Sequence, residues 1–326
     1  MRPRVVISRC LGIERCRWNG AVIQSAEVEM LRPHVEFVDV CPEVEIGLSV
    51  PRDPVRIVRT RDVDSLVQPA TGRDVTAEMN TFARQRLASI GPVDGFLLKS
   101  RSPSCGLKDT KVYPQEGPSV ALGRTLGFFA REACRQFDGI PAEDEGRLTN
   151  FRIREQYFAA IFTLAAFREL RERMGGGAVN RHADVARELT RFHAANKMLL
   201  MSQNQAEMRR LGAIAANRDR LGPARVLDAY GAGLARAFSK LPRPANAANV
   251  LEHAMGYFKT QLSPVEKRLF IDMVRDFLEG QLPLSAPVAV LRAWIARFGE
   301  PYLEAQTFLA PYPEALVTIR DSGLGR

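Results

Sequence analysis

The sequence predicts an α/β domain with a Rossmann-like parallel sheet, followed by an all-α helical domain. In the first half of the chain, short β-branched or alternating apolar runs, which are typical of strands, alternate with segments of helical spacing. This order is typical of a parallel sheet with crossover helices. From about Thr149 onward, nearly every segment has helical spacing instead. We place the two domains at residues 1–138 and 139–326, with the join in the polar, acidic, Gly- and Pro-containing stretch 137–146.

Three predicted strands each lead into a cysteine-bearing turn. The strands and the cysteines that follow them are residues 4–8 with Cys10, residues 35–40 with Cys41, and residues 95–99 with Cys105. A helix is predicted over residues 75–90, between the second strand and the third. Ligands of parallel sheets bind beyond the carboxyl ends of the strands, so we expect the three cysteine segments to meet at one edge.

The seven remaining helices are predicted in the second half. They are residues 151–174, 184–204, 205–220, 223–241, 247–261, 263–279 and 287–298. No apolar run reaches the ~18 residues that span a bilayer, which excludes a membrane-spanning protein. The formal net charge is +9. Residues 1–150 hold 21 Lys and Arg against 20 Asp and Glu, whereas residues 151–326 hold 25 against 17, an excess that indicates a polyanionic partner for the helical part.

Four of the five cysteines lie in Gly- and Pro-rich turns with arginines nearby, a setting that keeps thiolates accessible. The fourth of this group, Cys16, shares its turn with Cys10. Cys134 lies among phenylalanines in a helical stretch, and we expect it to pack in the core. The chain opens without a charged-then-apolar leader and is poor in cysteine, so we expect a cytoplasmic protein with free thiols rather than disulfides.

The spacing of these cysteines restricts the kind of metal site. A structural zinc site prefers paired C-x2-C motifs, and a radical iron-sulfur enzyme carries a tight group of three cysteines; the sequence has neither. Single cysteines from three loops suit a 4Fe-4S cluster, held either by all four or by three with one iron open. An open iron is a Lewis acid that binds and polarises a soft atom such as sulfur.

Three motifs carry a family resemblance over roughly residues 3–135. SRCLGIERCRWNG (8–20), CPEVEIGLSVPRDP (41–54) and KSRSPSCG (99–106) resemble the TudS-type thiouracil desulfidase family. The resemblance implies a 4Fe-4S cluster held by three cysteines. Its open iron would take the thiocarbonyl sulfur while water replaces that sulfur at carbon, without net redox change.

We assign Cys10, Cys41 and Cys105 as the cluster ligands because each follows a different strand; Cys16 could exchange roles with Cys10 or Cys41. Glu43, two residues after Cys41, is the candidate general acid and base. The alternative is that Glu43 is only a solvated carboxylate of the loop.

Two further sets of side chains flank the predicted site. Ser102 and Ser104 could orient water or substrate, or could only hydrogen-bond their own turn. The candidate substrate contacts, each of which could equally be a surface or packing residue, are Lys99, Arg101, Arg52, Arg17 and Trp18.

The second half resembles the YbgA-type domain. The motifs are FHAANK (192–197), NVLEHAMGYFK (249–259), LSPVEK (262–267) and PYLEAQTFLAPYP (301–313). This domain is often fused behind a desulfidase domain, and the fused, RudS-type proteins resemble enzymes that remove sulfur from 4-thiouridine in tRNA. Candidate RNA contacts, on faces that could also be merely solvated, are His193, Lys197, Arg191 and Lys259.

The sequence therefore predicts a 4Fe-4S enzyme that converts 4-thiouridine in tRNA to uridine, with the target base taken out of its stack. One alternative keeps the enzyme but gives it free thiouracil or thionucleosides as substrate, with the helical domain serving oligomerisation. A second alternative is an iron-sulfur sensor that binds nucleic acid without catalysis, in which Glu43 would have no purpose.

Overall fold

The structure, a computed structural model, describes residues 2–115, 120–175, 182–218 and 220–317. The chain forms two compact units. One is Met1–Ala165 together with the C-terminal residues from Ala315, and the other is Ala166–Glu314. The α/β region followed by a largely helical region confirms the predicted fold class.

The strands of the first unit form two sheets. They are β1 (Arg4–Ser8), β2 (Glu36–Val40), β3 (Arg56–Thr60), β4 (Val63–Gln68), β5 (Arg73–Asp74), β6 (Gly95–Leu98), β7 (Thr110–Pro114), β8 (Gly123–Thr125) and β9 (Ala142–Asp144). The first sheet is parallel with the order β2-β1-β6-β9, and the second is mixed with the order β5-β4-β3-β7-β8.

The first sheet contains the three predicted strands almost residue for residue. One of its two central strands, β1, is covered on both faces, with Val5, Val6 and Ile7 all at 0% exposure. Strands buried on both faces read as continuous apolar runs, which is why RVVIS was recognisable in the sequence. Because β1, β2 and β6 are parallel, their carboxyl ends meet at one edge.

The second sheet was not predicted. Only one of its faces is buried, where Ile57, Leu66 and Val112 form a core with neighbours from helices. Charged residues interrupt its strands on both faces: Arg56 faces away from this core, while Arg59 and Asp64 form an ion pair on the same face as Ile57 and Leu66. Strands such as RIVRT and VDSLVQ therefore lack the apolar runs that mark the first sheet.

The helices of the first unit are α1 (Ala26–Leu31), α2 (Pro42–Glu45), α3 (Thr76–Ile90) and α4 (Phe128–Gln136). The predicted helix over residues 75–90 is α3. Phe82 of α3 packs against the cores of both sheets, which ties the two sheets together.

Cys134 corrects the expectation of core packing, because its side chain is exposed. The buried face of α4 carries Phe129, Ala130 and Ala133. Cys134 follows the last of these by one residue and so turns out of the core, since neighbouring helix positions point about 100° apart.

The stretch expected to join the domains contains β9, which pairs in parallel with β6 at the edge of the first sheet. A short 3-10 turn at Arg147–Thr149 follows, and then the long helix α5 (Phe151–Gly175). The division between the compact units falls within α5, because Tyr157 and Ile161 still pack against the first sheet beside Gly95. The domain bounds 1–138 and 139–326 therefore stay predictions.

The second unit is helical. After α5 come α6 (His182–Gln203), α7 (Gln205–Ala216), α8 (Pro223–Phe238), α9 (Pro244–Gly256), α10 (Pro264–Leu278), α11 (Ser285–Phe298) and α12 (Pro301–Glu304). These correspond to the predicted helices, with α12 in addition. Residues 176–181, which follow the predicted end of the first long helix, lie outside the described residues.

Short polar signals set the ends of these helices. Asn204 separates α6 from α7 and accepts hydrogen bonds from the backbone N–H groups of Ala206 and Glu207. Ser263 and Glu266 form a capping box at the start of α10. Among the described residues, no helix is both long and apolar enough to cross a membrane.

Candidate active site

The loops after β1, β2 and β6 line a cavity of about 830 Å³ in the first unit. All four cysteines of these loops line the cavity, namely Cys10, Cys16, Cys41 and Cys105. The prediction that the three cysteine segments meet at the carboxyl edge of one sheet is confirmed.

The four thiols differ in exposure but interact with one another. Cys16, Cys41 and Cys105 are buried, and Cys10 is half-buried. The thiol of Cys16 lies within hydrogen-bonding reach of both Cys10 and Cys41. Its hydrogen bond with Cys10 raises the pKa of Cys16 to about 12. Cys16, which was the least certain ligand in the sequence, therefore belongs to the same cluster of thiols.

The pKa values of the other two buried thiols are raised as well. Desolvation raises the pKa of Cys105 to about 12, and the hydrogen bond with Cys16 together with burial raises the pKa of Cys41 further. Thiolates are the form that binds metal, so a metal or cluster that enters this site must displace these protons.

The Cys105 loop is held by hydrogen bonds within its own turn and from the start of α4. The Ser102 hydroxyl accepts from the backbone N–H groups of Ser104 and Cys105. The first N–H groups of α4, from Phe128 to Ala130, donate to the carbonyls of Pro103 and Ser104, which satisfies helix donors that would otherwise lack a partner. At Gly127 a Cβ atom would stand 2.5 Å from the Ser104 carbonyl, so only glycine permits this approach.

The Cys41 turn is the start of α2. Cys41 is the N-cap residue and Pro42 follows at the first helical position, where its missing N–H costs nothing. The backbone N–H of Cys41 donates to a carboxylate oxygen of Glu45, 3.1 Å away. Arg9, from the Cys10 loop, donates to the same oxygen, so one carboxylate joins the two cysteine loops.

Glu43 lines the cavity and is fixed by two partners. Arg52 donates two hydrogen bonds to its Oε2, at 3.0 and 2.7 Å, and the Ser104 hydroxyl donates to Oε1 at 3.0 Å. The side chains of Glu43 and Arg52 are 12% and 4% exposed, so this is a partly buried ion pair and not a solvated loop carboxylate. Arg52 also donates to the carbonyl of Cys16 at 3.1 Å, which links the carboxylate to the thiols.

The two predicted serines have different places. Ser102 lines the cavity, with its hydroxyl engaged as the cap of the Cys105 turn. Ser104 is 0% exposed, and its hydroxyl points to Glu43. Ser104 therefore orients the carboxylate from behind, and this geometry gives it no direct contact with a molecule in the cavity.

Lys99 lines the cavity but its charge is already balanced. Its ammonium group donates to Glu145 and to the carbonyl and hydroxyl of Ser100. The same Glu145 carboxylate accepts the backbone N–H and the hydroxyl of Ser100. Sequence reasoning missed Glu145, which lies 46 residues from Lys99 and follows β9, a strand too short to recognise.

The remaining predicted substrate contacts lie at the rim. Arg17 and Trp18 line the cavity, and Trp18 is 44% exposed, as a stacking platform would be rather than a packing anchor. Arg101 also lines it, with 85% of its side chain exposed and a distant ion pair to Asp109 at 3.7 Å.

Four further side chains of this cavity come from the unpredicted second sheet. They are Arg56 of β3, Lys111 and Tyr113 of β7, and Arg124 of β8. The guanidinium of Arg56 lies over the Tyr113 ring, 5.0 Å from its centroid. In its strand, each of the three charged residues is next to an apolar residue or a glycine. That alternation was the one feature of the sequence that could have indicated these strands.

The helical unit holds the predicted RNA contacts in two settings. His193 is half-buried; its Nδ1 lies 3.1 Å from the hydroxyl of Tyr230, and burial, together with Lys197, lowers its pKa. Lys197, Arg191 and Lys259 are exposed, and Arg191 pairs with Glu188 at 2.8 Å. The structure gives His193 a packing partner, and RNA contact at these four residues stays a prediction.

Within the described residues, no three His, Cys, Asp or Glu side chains are grouped to bind a single metal ion. A 4Fe-4S cluster makes a different demand, because its ligands attach to different irons and so come from separate positions around it. Four thiols from three loops around one cavity are such a donor set. The residues present therefore fit such a cluster.

Comparison with known proteins decides the family. Residues 5–145 match the family model described as 2-thiouracil desulfurase. A relative, the uncharacterized protein YbbK of Bacillus subtilis strain 168, is 34% identical over 109 residues, which are 31% of this chain and 72% of that protein. The chain belongs to the 2-thiouracil desulfurase family. A solved structure of a 4Fe-4S-dependent thiouracil desulfidase, TudS, is 30% identical and covers 45% of this chain and 93% of that one, with a TM-score of 0.36.

Behind this desulfurase domain lies a second one. Residues 197–313 match the model described as a protein of unknown function, DUF1722. The uncharacterized protein YbgA of Escherichia coli strain K12 is 26% identical over 136 residues, 41% of this chain and 79% of that protein. Both resemblances drawn from the motifs are confirmed, and the chain is a fusion of the two domains.

Proposed function

We propose that this protein is an iron-sulfur-dependent desulfidase that acts on 4-thiouridine in tRNA, replacing the thiocarbonyl sulfur with oxygen from water. The balanced reaction is C=S plus water giving C=O plus hydrogen sulfide, with no oxidant or reductant. The observation that carries the proposal is that four thiols and the Glu43 carboxylate share one cavity in a domain of the 2-thiouracil desulfurase family.

We assign Cys10, Cys41 and Cys105 as the ligands of a 4Fe-4S cluster, with one iron left open. A bound cluster of this kind supplies a Lewis acid for the thiocarbonyl sulfur. Cys16 lies against Cys10 and Cys41, so it either takes the fourth position or remains a neighbouring thiol. We expect such a protein in the cytoplasm, where the thiols stay reduced.

Glu43 is the residue that handles protons. Its carboxylate faces the cavity and is held at both oxygens, by Arg52 and by Ser104, so it is oriented before substrate arrives. A carboxylate in this position accepts a proton from the attacking water and returns one to the departing sulfide. Arg52 balances its charge without filling the cavity.

Support for an RNA substrate comes from charge. The second half of the sequence carries an excess of eight positive charges, and a polynucleotide gains affinity when bound cations release its counterions. The exposed Trp18 offers a surface on which an unstacked base could lie. A free base gains nothing from the helical domain.

The test mixes anaerobically reconstituted protein with thiolated tRNA, with free 4-thiouridine and with 2-thiouracil, and quantifies the products by mass spectrometry. Conversion of 4-thiouridine to uridine in tRNA, well ahead of the two small molecules, supports the proposal. Turnover of the small molecules alone would assign the enzyme to free thiones. If the cluster is intact and no substrate is turned over, the result would favour the alternative of a nucleic-acid-binding sensor.

A further inference from the structure

Cys105 lies in more apolar surroundings than a thiolate ordinarily tolerates. It belongs to the core of the first sheet, which also contains Val6, Leu98 and Phe129. A thiolate in such a place lacks the water that would stabilise its charge, and burial accordingly raises the pKa of Cys105. A cysteine that binds a cluster must nevertheless be a thiolate, so Cys105 needs hydrogen-bond donors from the protein itself.

Two hydroxyl groups are in position to donate to this sulfur. The Cys105 thiol lies within hydrogen-bonding reach of Ser8 and of Ser102, and both hydrogen bonds favour the thiolate over the thiol. Cys41 has a different set of partners, the backbone N–H of Val44 and the thiol of Cys16. Ser102 belongs to the same turn as Cys105, whereas Ser8 reaches it from a neighbouring strand of the sheet.

Ser8 is held in an orientation that leaves its proton available. It ends β1, lines the cavity and is 2% exposed. Its oxygen accepts a hydrogen bond of 2.9 Å from the backbone N–H of Lys99, the residue that follows β6. A serine hydroxyl has one proton to donate. Within the part of the chain that the structure describes, no oxygen or nitrogen atom accepts that proton, so it is free to turn toward the Cys105 sulfur.

A hydrogen bond to a ligating thiolate draws electron density away from the metal that the thiolate binds. Hydrogen bonds to the sulfurs are among the features that set the reduction potential of an iron-sulfur cluster, and the loss of one moves the potential to a more negative value. The same loss makes the irons weaker Lewis acids. Desulfidation exchanges no electrons, so the potential serves here as a measure of the electron density at the cluster.

We propose that Ser8 is a positioning residue of the desulfidase, whose hydroxyl donates to the sulfur of Cys105 and so strengthens a bound cluster as a Lewis acid. This inference rests on the proposed function and adds to it a residue that acts through a ligand. A purely structural role is the alternative. In that case Ser8 would only provide an acceptor for the N–H of Lys99, and its hydroxyl would have no effect on the potential of the cluster.

The test measures the midpoint potential of the reconstituted protein by redox titration, followed by electron paramagnetic resonance of the reduced cluster. Ser8→Ala removes the hydroxyl and Ser8→Thr keeps it. The matched control is Ser65→Ala, which removes a half-buried hydroxyl from β4, away from the residues that line the cavity. We expect a more negative potential in Ser8→Ala, and potentials close to that of the wild type in the other two variants.

The potential belongs to each loaded molecule, so partial loading of a variant does not mask the result. An unchanged potential in Ser8→Ala would overturn the proposal, and so would a Ser8→Ala protein that holds no cluster, because the hydroxyl would then serve the fold.

Kinetics connect the hydrogen bond to the reaction. With thiolated tRNA, kcat should fall roughly tenfold in Ser8→Ala and return in Ser8→Thr. A shifted potential with an unchanged kcat would remove Ser8 from the reaction. If none of the proteins turns over a substrate, the proposed function fails, while the potentials still decide whether Ser8 acts on the cluster.

Discussion

At the scale of the residue, the site depends on a carboxylate held in one orientation. Glu43 has its two oxygens on different partners, Arg52 and the buried Ser104. The sequence identified Glu43 because it follows Cys41 by two residues. For Ser104 it left open whether the hydroxyl orients water or substrate or only hydrogen-bonds its own turn, since the sequence of a turn does not show which side chains face a cavity.

Replacing Glu43 by glutamine tests its role in proton transfer. Glu43→Gln keeps the size of the side chain and an acceptor for Arg52, but it removes the base. We expect kcat to fall about 100-fold to 10,000-fold with iron and sulfide content unchanged. Steady-state kinetics and iron analysis of the reconstituted protein measure both quantities, and near-normal kcat would remove Glu43 from the chemistry.

Glu145 makes stability depend on pH. Burial acts to raise the pKa of this carboxyl, but hydrogen bonds and charge from Lys99 and Ser100 outweigh it, and the pKa is lowered. A lowered pKa in the folded state adds stability above the carboxyl's ordinary value, and that stability is lost as pH falls through the folded value. Urea unfolding of the metal-free protein should show that Glu145→Gln costs free energy at neutral pH, and that this cost shrinks as the pH falls below the ordinary glutamate value of about 4.3. A cost independent of pH would contradict this.

At the scale of the element, the strands of the first sheet could be predicted and those of the second could not. β1 and β6 appear in the sequence as apolar runs and β2 as an alternating run, and each leads to a cysteine, so the edge where the thiols meet could be foreseen. β3, β7 and β8 carry cations among their other residues, which hid the second sheet. The side chains that this sheet adds to the cavity come together only through the pairing of distant strands.

Helix α4 is the element that holds the Cys105 loop. At Gly127→Ala, the new Cβ would meet the Ser104 carbonyl at 2.5 Å and the Cys105 nitrogen at 2.8 Å, so either the loop or the helix must move. We expect reconstituted Gly127→Ala to hold much less iron and sulfide than wild type. Gly123→Ala is the matched control, since its Cβ would meet nothing within 4 Å. Equal cluster content in the two variants would show that α4 does not set the loop.

The junction of α6 and α7 shows how a single polar residue ends one helix and begins another. Asn204 accepts two backbone hydrogen bonds at 3.1 Å from the start of α7. Asn204→Ala should lower the free energy of unfolding by about 0.5 to 2 kcal/mol, as for other N-cap residues. Replacement by aspartate, which caps equally well, should restore most of it. Denaturant unfolding monitored by circular dichroism measures both, and an unchanged midpoint in the alanine variant would show that the cap contributes nothing.

At the scale of the whole molecule, the chain joins a cysteine-lined α/β unit to a basic helical unit. The order of the two domains and the class of each could be read from motifs and from helical spacing. The position of the division between the two compact units could not be predicted, because α5 is continuous through the division at Ala165 and its first half packs with the sheet. The proposed function assigns the reactive base to the first unit and the polyanion that carries this base to the second.

The measurement that tests this account most directly uses isotopically labelled water. Thiolated tRNA is incubated anaerobically with the reconstituted protein in that water, then digested, and its uridine is weighed by mass spectrometry. The account predicts that 4-thiouridine disappears from the tRNA while uridine appears with one labelled oxygen and sulfide is released in equal amount. Loss of 4-thiouridine without labelled uridine, or no loss in tRNA while free thiouracil reacts, would contradict it.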